Sequence, residues 1–223
     1  MFKFWGDGSE EAMQKVKDIL VRDTSNFNWT FIFILAVVFY VYWSEIHKKN
    51  WKVIQAGLAL YGVHWLYEIT NAIIAKVSGY PLWAVSNQST TFILLIGVSW
   101  ELSMMFSLAG IISYKMLPED VSTHYLTRGG KRKGIDCRLV GALSMALLFA
   151  LVESFLAATK NWSFIWVYKW WGVLPVFVTT YIPFFLASNY VPSMKPKARN
   201  IFLIAEWSLV ALLLIILIPC GVI

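Results

Sequence analysis

The sequence predicts an all-α, polytopic bundle of six transmembrane helices, with both termini outside and a short amphipathic helix ahead of the first span. Three observations carry that reading. Hydrophobic residues fill 58% of the 223 positions and charged residues 14%, where a soluble globular chain has about 25% charged. Apolar runs recur at the length that crosses a bilayer, about 20 residues. Basic residues gather in alternate connections between those runs. With a mean hydropathy of +0.61, a soluble fold is excluded, and one membrane domain leaves no room for a second, soluble one.

Taken in order, residues 1–28 read as a surface segment. Within it, 9–22 (SEEAMQKVKDILVR) forms a helix, with Ser9 as N-cap, Glu10 and Glu11 in the first turn, and Met13, Val16, Ile19 and Leu20 on one face. It is expected to lie on the outer membrane surface, or to dock a partner subunit. No cleavable signal peptide is expected, because these residues hold no apolar core and are studded with charge.

Residues 29–223 form the single six-helix transmembrane domain, with spans at 29–46, 53–77, 91–115, 138–159, 163–190 and 201–221. Pro175 and Pro183 interrupt the fifth. Helices are predicted because unsatisfied backbone is too costly in hydrocarbon and strand-length alternation is absent.

Loop charge fixes the orientation. Lys48, Lys49 and Lys52, then Lys115, Arg128, Lys131, Arg132, Lys133 and Arg138, then Lys195, Lys197 and Arg199 occupy one side, twelve of the nineteen basic residues. The loop 78–90 carries no charge, and the other outer loop carries only Lys160. Both termini are therefore outside. The net charge of +6 reads as this inward excess, and no nucleic-acid partner is expected.

Much other chemistry is excluded. Cys137 and Cys220 fall at opposite membrane faces and form no CxxC pair. His47, His64 and His124 are scattered, so no metal site and no cofactor are expected. A Ser/His/Asp hydrolase is unsupported. The loop 116–136, with Gly129, Gly130 and Gly134, lacks the spacing of a phosphate or nucleotide loop and reads as solvated, touching lipid head groups. Asn-x-Ser/Thr triplets at Asn28, Asn87 and Asn161 read as incidental.

Ionisable groups inside spans need a partner or a task. His64, Glu68, Glu101, Glu153, Glu206 and Lys169 qualify. At a rise of about 1.5 Å per residue, His64 and Glu101 fall near the midplane, while Glu68, Glu153 and Lys169 share the outer third. Glu206 lies on a different level, about 8 Å from the inner boundary, and is expected to snorkel or to pair with Arg199. His64, Glu68 and Asn71 share one helical face, and Trp162, Trp166 and Trp170 repeat beside Lys169. These groups are expected to meet in one polar pocket walled by aromatics, where three carboxyls against one lysine and one histidine cannot all stay ionised. A bland alternative pairs Glu153 with Lys169 and Glu68 with His64 as packing elements, the tryptophans forming an interfacial belt.

A span with His-x-x-x-Glu (His64, Glu68), followed by one with a central glutamate (Glu101) and another with an acid (Glu153), resembles the EXPERA family. That family includes emopamil-binding protein, a sterol isomerase, and the sigma-2 receptor. The resemblance covers roughly residues 29–190 in span order. It implies a lipid-accessible cavity in which acid groups protonate or bind a sterol-like or amine ligand.

The expected function is thus an integral membrane protein, in the plasma or inner membrane or the endoplasmic reticulum, with an acidic intramembrane pocket for a lipid- or sterol-like partner. In its catalytic form it is an acid–base isomerase. His64, Glu68 and Glu101 are the acid–base set, and Asn71, Trp100, Glu153, Trp166 and Lys169 complete the pocket. The alternatives are a small proton-coupled permease and a non-catalytic subunit anchored through 9–22.

Overall fold

The first long helix, α2 (Thr30–His47), buries only Glu45 and turns Phe33, Phe39, Tyr40 and Trp43 outward. That is the pattern of a helix whose solvent is lipid. The structure is a computed structural model; it describes residues 2–17, 19, 22–86, 91–126, 134–159 and 164–223. Ahead of α2 lies α1 (Glu10–Lys17). After it come α3 (Trp51–Ser78), α4 (Trp100–Lys115), α5 (Cys137–Ala157), α6 (Val173–Pro175), α7 (Ile182–Tyr190) and α8 (Pro196–Leu217). A π-wound segment, Val176–Tyr181, joins α6 to α7, and a 3₁₀ turn, Val191–Ser193, follows α7.

α3 is the axis of the bundle and packs against α4, α7 and α8. Small residues allow it: a side chain at Gly57 would meet Ile111 and the Ser107 carbonyl, and one at Gly110 would meet the Ala56 carbonyl. Close backbone approach at small residues is how membrane helices gain contact when lipid is as apolar as leucine. α5 packs on α7, and α2 on α4.

The chain is mostly helical. Among the described residues, Thr30–His47, Cys137–Ala157, Val173–Ser193 and Pro196–Leu217 are long and apolar enough to cross a membrane. α3 has the length, at 28 residues, but Gln55, His64, Glu68 and Asn71 dilute its hydropathy. α4 has only 16 residues.

Two expected spans are corrected. Residues 93–99 are not the start of a helix but a hairpin, β2 (Ile93–Leu95) and β3 (Val98–Ser99), and α4 begins only at Trp100, with Ser99 Oγ accepting from the Leu102 amide. Likewise the fifth expected span opens with a strand, β6 (Phe164–Trp166), antiparallel to β1 (Trp83–Val85) with Trp83 opposite Trp166. Apolar runs report burial, and a buried strand satisfies its backbone through its partner as well as a helix does internally. The hairpin β4 (His124–Tyr125) with β5 (Ile135–Asp136) leads into α5, where Asp136 caps the helix by accepting from the Arg138 amide.

The expected helix 9–22 is also shorter, ending at Lys17. Ser9 Oγ does accept from the Ala12 amide, 3.1 Å. The apolar face of α1 packs onto the chain itself: Ala12 and Val16 join the cluster of Ala84, Val98, Ile165 and Val167. Beyond it Asp23 bridges to Ile93 in extended form. Before it, residues 5–8 run along β6, with Gly6 N–H donating to Trp171 O at 2.7 Å and Gly8 N–H to Val167 O at 2.9 Å. Asn87, Arg128, Gly129, Gly130, Lys131, Arg132, Lys133, Lys160, Asn161 and Trp162 lie outside the described residues.

Candidate functional site

One turn of α3 separates His64 from Glu68, and both side chains point into a cavity of about 80 Å³ between α3, α4, α5 and the π segment. Its walls include Trp83, Phe106, Phe149, Glu153, Trp171, Thr180, Tyr181 and Phe184. The imidazole of His64, 1% exposed, stacks on Phe106 at 4.2 Å and meets the edge of Phe184 at 6.0 Å. Its Nε2 lies 3.5 Å from Glu68 Oε1, close enough for an ionic contact but not a hydrogen bond, and neither ring nitrogen has a hydrogen-bond partner among the described residues.

The carboxyls are held by indoles and a phenol. Trp83 Nε1 donates to Glu68 Oε1 at 3.2 Å, while Glu68 Oε2 has no donor among the described residues. Glu153 Oε1 accepts from Trp166 Nε1 at 2.6 Å and its Oε2 from the Tyr181 hydroxyl. Among the described residues no lysine or arginine lines the cavity. Neutral N–H and O–H donors therefore do what a salt bridge would do elsewhere, without a second buried charge.

Asn71 works one step back. Its Nδ2 donates to Trp83 O at 2.9 Å and its Oδ1 accepts from Leu82 N at 2.8 Å. That fixes the strand that aims Trp83 at Glu68. Gly97, in the β2–β3 turn, completes the fit: a side chain there would strike Glu68, Trp83 and Asn71 together.

The π winding has an identifiable cause. Pro183 has no amide hydrogen to give the carbonyl of Thr179, four residues back. The Tyr67 hydroxyl of α3 donates to that carbonyl instead, at 2.6 Å. The wide turn brings both Thr180 and Tyr181 to the cavity wall. Such segments occur frequently at functional sites.

Three expected site residues stand elsewhere. Glu101 is buried, but its Oε1 accepts from the Thr91 amide at 2.7 Å and it does not line the cavity. Trp100 packs edge-on against Phe31 at 5.2 Å. Lys169 lies beside Gly8, with Trp5, Asp7 and Trp170 around it. Its expected depth assumed helical rise through residues 164–172, and the extended chain of β6 carries it out to the surface instead. Glu206 neither snorkels nor pairs with Arg199. It is 6% exposed and seated against Gly62, and neither carboxyl oxygen has a partner among the described residues. The rotation of α8, which turns Glu206 toward α3, decides this.

Other residues escaped the sequence reading. Thr180 and Tyr181 reach the cavity through the π-wound segment, and Trp83 and Trp171 through extended or irregular chain, none of which an α-helical period announces. Glu45 was passed over too; it pairs with Lys115 at 2.5 Å and accepts from Asn50 Nδ2 at 2.7 Å. Its signal was present, since an acid in the last turn of one span faces a lysine ending another.

Residues 9–219 match the model of a family described as "Uncharacterized membrane protein family". The chain belongs to that family. The match overturns the resemblance to the EXPERA family, whose His64, Glu68, Glu101 and Glu153 pattern rested on a few acids over a long stretch. A protein of Archaeoglobus fulgidus, described as uncharacterized, is 37% identical over 178 residues, covering 78% of this chain and 80% of that protein. No solved structure matches the chain significantly. Family and apolar helices together make this an integral membrane protein.

For a member of a membrane family, the direction in which the cavity opens matters. On its outer side the wall is formed by Met105 of α4 and by Val152 and Leu156 of α5. Met105 is 51% and Val152 49% exposed. Between these helices the surroundings of the cavity are apolar. Among the described residues no group of three His, Cys, Asp or Glu side chains is placed to hold a metal ion.

Proposed function

We propose that this membrane protein crosses the bilayer six times, with both termini outside, and holds the polar head of a lipid-like molecule in the cavity at His64, Glu68 and Glu153. One observation carries this reading. Five buried polar atoms without partners among the described residues (His64 Nδ1 and Nε2, Glu68 Oε2, Trp171 Nε1 and Thr180 Oγ1) belong to residues lining one cavity. A buried polar atom left unpaired costs about 1–3 kcal/mol, so their gathering favours a ligand that both donates and accepts there. The apolar mouth at Met105 and Val152 suits entry from lipid between α4 and α5. A space of about 80 Å³ seats a head group, with the hydrocarbon passing through the mouth. Asn71 and Trp166 position the wall; Glu101, Trp100 and Lys169 have no part in contacting the ligand.

The catalytic form of the reading is an acid–base isomerisation, with the Glu68–His64 pair exchanging a proton with the ligand. The test is mass spectrometry of small molecules that co-purify with the protein in mild detergent. A species retained by the wild type and lost from Glu68→Gln and Thr180→Val is expected, and a changed isomer ratio in lipid extracts marks catalysis. No retained species, with both variants indistinguishable from wild type, sinks the proposal. A proton-coupled carrier is a second reading, supported by the π-wound helix between Pro175 and Pro183. Solute flux that follows an imposed pH gradient in proteoliposomes favours it.

A further inference from the structure

A second groove, of about 480 Å³, lies apart from the cavity, where α1, the end of α3 and the chain following α8 come together. Its floor is apolar, with Val16 from α1, Ala72 from α3, Ile96 from the hairpin turn and Val222 beyond α8. Its rim is cationic. Lys17, Arg22 and Lys76 all line it, and no Asp or Glu does among the described residues.

Two of these cations differ from the paired ones elsewhere in the chain. Lys3, Lys115 and Arg138 each pair with a carboxylate, whereas Lys17 and Lys76 take part in no ion pair among the described residues. Arg22 Nη1 donates to the oxygen of Ile223 at 3.1 Å. Lys17 lies over the Tyr80 ring at 5.7 Å, and Lys76 is exposed in the last turn of α3.

We propose that this groove seats an anionic phospholipid, its phosphate on Lys17 and Lys76 beside Arg22 and one hydrocarbon chain on the apolar floor. The pairing of features selects the occupant. A cationic rim complements a phosphate, and an apolar floor between membrane helices complements the hydrocarbon joined to it. A free anion has no use for the floor, and a zwitterionic lipid gains less from the rim.

The test is native mass spectrometry of the full chain in a neutral detergent, titrated with phosphatidylglycerol or phosphatidylcholine. Wild type is expected to retain one phosphatidylglycerol tightly and phosphatidylcholine weakly. The double variant Lys17→Gln/Lys76→Gln loses about 30-fold in affinity, on the usual worth of a lysine at an anionic surface. The double variant Lys17→Arg/Lys76→Arg keeps the binding and controls for folding. Lys48→Gln/Lys49→Gln, which removes the same charge elsewhere, keeps it as well. Equal binding of the two lipids, loss in the Lys48/Lys49 variant to the same degree, or displacement of phosphatidylglycerol by millimolar inorganic phosphate overturns the proposal.

Discussion

The Tyr67 hydroxyl donates to the carbonyl oxygen of Thr179 at 2.6 Å, so a side chain of α3 replaces the amide hydrogen that Pro183 lacks. Helix and proline are thereby tied across the bundle. In a setting without water, the carbonyl has few other donors to turn to.

Tyr67→Phe should therefore cost about 1 kcal/mol, the usual net worth of one hydrogen bond. Pro183→Ala restores an amide at the same carbonyl, and in that background Tyr67→Phe should be nearly silent. Thermal unfolding in detergent of the two single variants and the double gives the coupling; strict additivity disproves the relationship.

Glu153 supplies a second case. Trp166→Phe removes the indole N–H from Oε1, leaving the carboxyl with Tyr181. A loss of about 1–3 kcal/mol is expected. Because Glu153 and Trp166 share this bond, Trp166→Phe in a Glu153→Leu background should cost measurably less, read by the same melts. Equal costs in both backgrounds would show that the indole acts only through packing.

Gly62 and Glu206 form a steric pair, since a side chain at Gly62 would strike the Glu206 carboxyl. Gly62→Ala should lower the melting temperature by separating α3 from α8. Glu206→Ala should largely cancel that effect by clearing the space. A Gly62→Ala variant that remains equally destabilised beside Glu206→Ala contradicts the contact.

The Arg138 guanidinium beside Asp136, with Nη2 at 2.6 Å from Oδ2, holds that carboxyl below its usual range. A carboxyl depressed in the folded state contributes stability that is fully present above its unfolded value, about 3.9. The contribution is lost as pH falls through the lower folded value. Asp136→Asn should therefore cost about 1 kcal/mol at neutral pH, including its share of the α5 cap. The difference from wild type should shrink below about pH 4, as measured by melts across pH. A gap that widens on acidification has the wrong sign for this pair.

The pairing of His64 with Glu68 was legible because helical periodicity is local: four residues place two side chains on one face whatever the rest of the chain does. Depth along a helix was equally readable, and it put Glu153 near Glu68. Rotation about the helix axis was not. Glu206 faces α3 because of packing between distant segments, whereas Glu101 meets the Thr91 amide because residues 93–99 double back as a hairpin and leave it in the first turn of α4. Nor could apolar content distinguish strand from helix in 93–99 and 164–166, where the pairing of Trp83 with Trp166 spans the middle of the chain. Lys169 was misplaced for that reason alone.

The π-wound turn at Val176–Tyr181 carries one residue more than regular winding would need there. Each residue of an α-helix turns the chain by about 100°, so this surplus sets the angular phase of everything that follows it. Delete one residue from the turn and the helix would wind regularly. Phe184 and Phe185, now in the aromatic cluster around Tyr181, would swing by more than a quarter revolution, and Asn189 would leave the Ser113 hydroxyl it accepts from at 2.9 Å. The wide turn therefore acts as a keyed coupling between the two ends of one helix: it lets Tyr181 face Glu153 at one level while Asn189 meets Ser113 at another, two contacts that a uniform screw would not bring into alignment.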